Sequence, residues 1–253
     1  MSELDASAEG RGAFLAATGR DPEDSGDAQR RYRRYQHDLI RPHCGETVVE
    51  VGAGTGEFAA TFTGPSRYVV TDLDPECVRM MAERFADRPE ITARQMDVSG
   101  TVPLDRPADT VLAVNVLEHI EDDVAALRAL ATMVRPGGTV VMWVPGYQAL
   151  YGDFDRSVGH HRRYTPRTLS EAFTAAGLHP TTVRPVNLLG GIAWWVAVRR
   201  GGVGRPDPRL VRWYDRLVVP VTRVIERLVT PPFGQSVLGV ATVPADPSSQ
   251  GCR

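Results

Sequence analysis

The chain has 253 residues, 29 basic and 31 acidic side chains and a net charge of −2, enough for one large core and with no global basic field that would select nucleic acid. Its cysteines, Cys44, Cys77 and Cys252, are far apart and unpatterned, which argues against a disulfide or zinc framework and for reduced thiols in the cytoplasm. No positively charged segment followed by an apolar run opens the sequence, so no secretory signal is expected, and every one of the 29 basic residues is arginine.

Residues 1–26 are rich in small and acidic side chains without a sustained period, and they are expected to be disordered, as are residues 244–253. Residues 27–243 then form a single domain. Residues 29–40 read as a basic helix ahead of the first strand, with Tyr35, Leu39 and Ile40 packed inward. The β-branched run at residues 48–51 reads as a buried parallel strand, and it breaks into Gly52, Gly54 and Gly56 before a helix. Glycines there let the backbone approach a ligand and take positive φ, while the helix aims its free N–H groups at the turn.

A second strand, residues 68–72, ends in Asp72, and Asp74-Pro75-Glu76 starts a helix after it. A third, residues 91–98, carries Asp97 near its end. The fourth, residues 109–116, leads into Leu117-Glu118-His119-Ile120, which is expected to open a helix running to about residue 133. Arg135-Pro136-Gly137-Gly138 stops that helix before a fifth strand at residues 139–144. Residues 145–155 are too broken for a strand and too aromatic for an idle linker, so an ordered loop is expected, and Thr165-Pro166 caps a helix that Gly177 ends.

The apolar block at residues 186–198 includes Trp194 and Trp195 and is too short to span a bilayer. Core packing or a dimer contact fits it, and so does an interfacial segment or a hydrophobic lid. Residues 210–228 show helical periodicity, with Trp213, Leu217, Val221, Val224 and Leu228 near one face; residues 237–243 read as a final antiparallel strand at the sheet edge. Insertions at about 146–166 and 186–230 would together form a helical lid.

Two cofactors suit a glycine turn after a strand. Dinucleotide folds use Gly-x-Gly-x-x-Gly with an acid about 20 residues on. Here the third glycine comes one residue early, Glu57 stands where that pattern wants glycine, and Glu50 lies inside the strand. This version resembles the first motif of the class I S-adenosylmethionine-dependent methyltransferases. The resemblance implies an α/β, doubly wound, Rossmann-like sheet of seven mostly parallel strands with an antiparallel last strand. It also implies a site for S-adenosylmethionine, leaving as S-adenosylhomocysteine, made by Glu50, Gly52, Ala53, Gly54, Gly56, Asp72, Leu73, Asp97, Val98 and Asn115. In that family the acid at Asp72 grips the ribose hydroxyls and the one at Asp97 holds the adenine amino group. Tyr32 and Arg34 on the first helix are candidates to close over the cofactor. Tyr151-Gly152, Asp155 and the run Gly159-His160-His161-Arg162-Arg163-Tyr164-Thr165-Pro166 look like a bacterial subfamily often encoded near sugar- or lipid-modifying enzymes.

Methyl transfer asks the protein to align a nucleophile with the carbon–sulfur bond and, for a hydroxyl or ammonium, to take a proton. His160 is the first candidate for base or substrate anchor, with His119 next and Tyr164, Tyr147 and Tyr151 as orienting groups. Plainer alternatives stand beside them: Glu118 as a helix cap, His119 packed under a loop, and Arg162 and Arg163 either binding a substrate anion or stapling the loop through Asp153 and Asp155. Some relatives hold a divalent metal with Glu-x-x-Glu-His and a later histidine, here matched by Glu118, His119 and His160 or His161; Asn115 replaces the first carboxylate, so no metal is placed in the site and metal assistance stays an alternative. The expected partner is a small molecule, methylated on oxygen in natural-product, sugar or lipid metabolism, with no nucleic acid and no stable membrane insertion, although peripheral membrane contact is permitted. N- or C-methylation, cyclisation and mere cofactor binding remain alternatives, and the oligomeric state is open.

Overall fold

One sheet of seven strands, ordered β3-β2-β1-β4-β5-β7-β6, organises the computed structural model, which describes residues 29–98, 106–199 and 208–245. The expected disorder of residues 1–26 and of the tail from 246 lies outside the described residues. β1 (Thr47–Val51), β2 (Arg67–Asp72), β3 (Ile91–Gln95), β4 (Ala108–Val114) and β5 (Val134–Pro145) pair in parallel. β7 (Ser236–Thr242) runs antiparallel between β5 and β6 (His179–Val186).

Every residue of β1 is buried because the sheet has a core on each face. Val49, Val51, Val111, Ala113, Val140 and Met142 fill one, while Val48, Tyr68, Val70, Leu112, Val141 and Trp143 fill the other. Alternation along buried strands thus gives the doubly wound architecture, a Rossmann-like mostly parallel sheet.

Four expectations need correction. β7 is interior, and the edge belongs to β6, a strand the sequence conceals: its first half is exposed and it contains Pro180 and Pro185, with a register shift between Pro180 and Thr182. Prolines are tolerated there because an edge strand has free ladder positions. β3 stops at Gln95, so Asp97 lies in the following turn. The helix expected from Leu117 is a single 3-10 turn, Leu117–His119; the chain extends at Ile120, and the helix proper is Asp123–Thr132, capped by the Asp122 carboxylate on the Ala125 N–H.

The fourth concerns residues 210–228. A π-helical turn, Tyr214–Val218, separates the helices Pro208–Trp213 and Val219–Leu228. Asp215 in that turn is buried and accepts the backbone N–H groups of Arg31 and Tyr32 at 3.2 and 2.8 Å. It caps the helix Arg30–Ile40, whose own Gln29 supplies no cap. Among the described residues no helix is long and apolar enough to cross a membrane.

Candidate active site

Gly52, Gly54 and Gly56 have φ of 65°, 58° and 76°, backbone that side-chain-bearing residues avoid. A Cβ on Gly52 would stand 2.5 Å from Val116 Cγ2, so the turn after β1 is pressed against the turn after β4. β1 and β4 are neighbours from which the strand order runs outward both ways, and ligands of open α/β sheets bind at such a switch point. Asp72 at the end of β2 is tied to the turn: one carboxylate oxygen accepts the Gly54 N–H at 2.8 Å and the other accepts that of Asp74 at 3.0 Å. The buried Ala53 donates its N–H to Thr71 at 2.8 Å.

Glu50 is buried within β1 and accepts the Tyr68 hydroxyl at 2.6 Å. Burial, and then this carboxylate's charge, push the Tyr68 hydroxyl well above its ordinary range. Leu73, Asp97 and Asn115 are exposed at the ends of consecutive strands, Asn115 with φ of 54°, and Val98 is half-buried against the core. Arg33 fastens the first helix here, its guanidinium reaching the Glu57 carbonyl at 3.1 Å and carboxylate at 2.7 Å. Tyr32 stands edge-on to Trp143, with ring centroids 6.3 Å apart, whereas Arg34 points to solvent.

A second cluster joins the turn after β4 to the loop after β5. His161 N–H bonds the Glu118 carbonyl at 2.8 Å, holding the two loops together. His160 lies between two carboxyl groups: Nδ1 is 2.7 Å from Asp155 Oδ1, and Nε2 is 3.8 Å from Glu118 Oε1. Asp155 is fully buried and bound by Arg163 through both oxygens, at 2.8 and 3.0 Å, and by the Gly152 N–H at 2.9 Å. Burial works against its charge, but the bonds from His160 and Arg163 hold its carboxyl below the usual range. The Asp155 carboxylate orients the His160 ring through Nδ1 and turns Nε2 toward Glu118. The His119 ring meets His160 edge-on at 4.6 Å.

Glu118 is wholly buried with neither oxygen hydrogen-bonded, and burial pushes it up to about 8. Such a group asks for a partner from outside the chain. Glu118, His119 and His160 each offer a ligand atom, all within 4.8 Å of one another, so these residues could hold a metal despite Asn115.

Tyr164 does not belong to this cluster. Its ring is buried in the core and its hydroxyl donates to Asp123 at 2.8 Å, so its one donor is already spent. Arg163 takes Asp155, as in the loop-stapling alternative, whereas Arg162 pairs with Asp123 at 3.0 Å and Asp153 is taken by Arg156. Tyr151 donates to the His160 carbonyl at 2.7 Å and Tyr147 to the Pro232 carbonyl at 3.1 Å. Asp155, read from sequence only as a staple, is also the group that orients His160; its place five residues ahead was the available signal. Trp194 of the helix Leu188–Arg199 roofs the loop, bonding the Leu150 carbonyl at 3.0 Å and stacking on Arg163.

The methyltransferase-domain family model matches residues 13–183. The chain belongs to that family. For this methyltransferase domain the cofactor is S-adenosylmethionine, and the glycine turn and Asp72 are the features that suit it. A protein encoded in a transposon of Streptomyces fradiae is 29% identical over 177 residues, 63% of this chain and 51% of that protein. An uncharacterised methyltransferase of Mycobacterium leprae is 27% identical over 198 residues, 74% of this chain and 72% of that protein. An N-methyltransferase of Bradyrhizobium japonicum, solved with S-adenosylhomocysteine, shares the fold at a TM-score of 0.56 and 14% identity, over 92% of this chain and 98% of that one. The match spans 51%, 34% and 47% of the lengths of the first curated relatives, so the chain covers only part of each.

Proposed function

We propose that this methyltransferase domain moves the methyl group of S-adenosylmethionine to a hydroxyl of a small molecule, with His160 as the base. The observation that carries this reading is the Asp155–His160 pair, placed beside the turn that touches Gly52. The acceptor oxygen forms a bond to the methyl carbon as the carbon–sulfur bond breaks; its proton passes to His160 Nε2, and the sulfonium leaves as a neutral thioether. Asp155 orients the imidazole and stabilises the imidazolium, as the third member of a nucleophile–base–carboxylate set does. The two unpartnered oxygens of Glu118 would receive a polar hydrogen of the acceptor. The acceptor would come from natural-product, sugar or lipid metabolism. Incubation with methyl-labelled S-adenosylmethionine and a panel of alcohols, phenols, sugars and amines tests this: label should appear on oxygen, and transfer to amines alone would overturn it.

The same donors favour a second reading. A divalent transition ion held by Glu118, His119 and His160 would supply Lewis-acid activation of the acceptor oxygen. His160 would then keep its Asp155 bond as the carboxylate–histidine support common at such sites. A chelator separates the readings: unchanged label transfer supports His160 as base, and loss restored by manganese or zinc supports the ion.

A further inference from the structure

The lid helices carry an apolar face that nothing in the described chain covers. Leu210, Trp213, Leu217, Val221, Val224 and Leu228 are 51 to 79% exposed. They follow one another at steps of 3, 4, 4, 3 and 4 residues, the spacing that keeps one side of a helix apolar along its length. Arginine directly precedes five of the six: Arg209, Arg212, Arg216, Arg223 and Arg227. One residue back is about 100° round a helix, so the arginines run along one flank of the stripe. Arg209, Arg212, Arg216 and Arg227 are exposed. Arg31, at the start of the helix Arg30–Ile40, donates to the Arg216 carbonyl and brings another cation to that flank.

The acids of residues 208–229 face the other way. Asp215 is buried as the distant cap of the first helix, and Glu226 accepts the Tyr35 hydroxyl and the Leu188 N–H. Arg223 is paired with the exposed Asp38, so the outward positive charge of this segment is carried by Arg212, Arg216 and Arg227, beside an apolar ridge with an exposed tryptophan.

We propose that this face docks the protein on an anionic lipid surface, the stripe lying in the interface and the arginines against the headgroups. Amphipathic helices bind membranes by that combination of buried apolar area and attraction to anionic lipid. Tryptophan and arginine stems are also suited to the boundary between headgroup and acyl chain. A second copy fits less well, since it would bring the same arginines with no outward acid of this segment to meet them. The face reaches the acceptor loop through the helix Leu188–Arg199, which packs on the helix Val219–Leu228 and whose Trp194 bonds Leu150.

The test is co-sedimentation of the full chain with phosphatidylcholine vesicles, with and without one third phosphatidylglycerol, alongside tryptophan emission. Binding with a blue shift is expected only on the anionic vesicles, and it should weaken with added salt. A Leu217→Asp, Val224→Asp variant and an Arg212→Glu, Arg216→Glu, Arg227→Glu variant should each bind at least about tenfold more weakly. Both should still take up S-adenosylmethionine as the parent does, which shows that they are folded. The proposal is overturned if the parent ignores anionic vesicles, if the Leu217/Val224 variant binds them undiminished, or if the parent forms a dimer that this variant dissolves without any lipid binding. Binding that appears only after deletion of residues 1–28 would also overturn it, by making that segment the occupant.

Discussion

The glycine turn, proposed to hold the donor, and the Asp155–His160–Glu118 cluster, proposed to meet the acceptor, sit side by side, yet they are held by different means. At the donor turn backbone holds side chain: Asp72 is fixed by the N–H groups of Gly54 and Asp74, close in sequence. At the acceptor cluster side chain holds side chain: Arg163 and His160 both depend on Asp155, and Glu118 faces them from another loop. Removing a side chain from the first should therefore cost affinity and little else. In the second it should cost stability and turnover together, since each group is the counter-charge of another.

The largest effect expected is at Asp155. Replacing it with alanine leaves the Arg163 guanidinium buried without its partner, and such a loss costs about 3–5 kcal/mol. Thermal unfolding of Asp155→Ala measures it; a melting temperature within a degree of the parent would mean the cluster is not a stabilising unit. His160→Ala comes next. It removes the base and a bond to buried Asp155 from a side chain only 9% exposed, so label transfer should fall about 10²- to 10⁴-fold, and the melting temperature should drop by less than in Asp155→Ala, which also strands Arg163. Full turnover would reduce the site to positioning alone.

Asp72→Ala, on the donor side, should weaken cofactor binding by about 1.5–3 kcal/mol, the worth of hydrogen bonds to a charged group. The turn would lose two backbone bonds without losing its fold. The smallest effect is the pH dependence contributed by one residue of the donor side. His37 packs between Phe58 and Phe62, and burial, aided by the Arg33 charge, pushes it down to about 4. The unfolded chain takes up this proton first, so the His37 contribution to stability should fall as pH drops from about 6.5 to about 4 and level off below, opposite in sign to that of Glu118, which burial raises to about 8. Partial exposure limits the change to about 1–2 kcal/mol. His37→Phe should remove that part of the profile in apoprotein denaturation, read as the difference from the parent over that range, and an unchanged slope would place the sensitivity elsewhere.

What could be read from the sequence follows the same division. The glycine turn and Asp72 are legible because their partners lie within twenty residues and the constraint is on φ, which residue type reports directly. β1, β2 and β4 are legible as apolar runs buried on both faces. β6 is not, because an exposed edge strand with two prolines carries neither alternation nor an apolar run. The helix expected from Leu117 starts at Asp123, where Asp122 has the side chain in capping position. At the acceptor site His160, His119, Asp155 and Arg163 can all be named from residue type, but their roles depend on who meets whom. Arg163 pairs with Asp155 instead of standing free for a substrate, and Tyr164 turns into the core.

The division between a donor edge and an acceptor cluster is tested most directly by calorimetric titration of S-adenosylmethionine into the parent, Asp72→Ala and His160→Ala proteins. The account predicts parent-like affinity for His160→Ala and an affinity lower by about 10- to 100-fold for Asp72→Ala. Parent-like binding by Asp72→Ala, or an equal loss in His160→Ala, would contradict it.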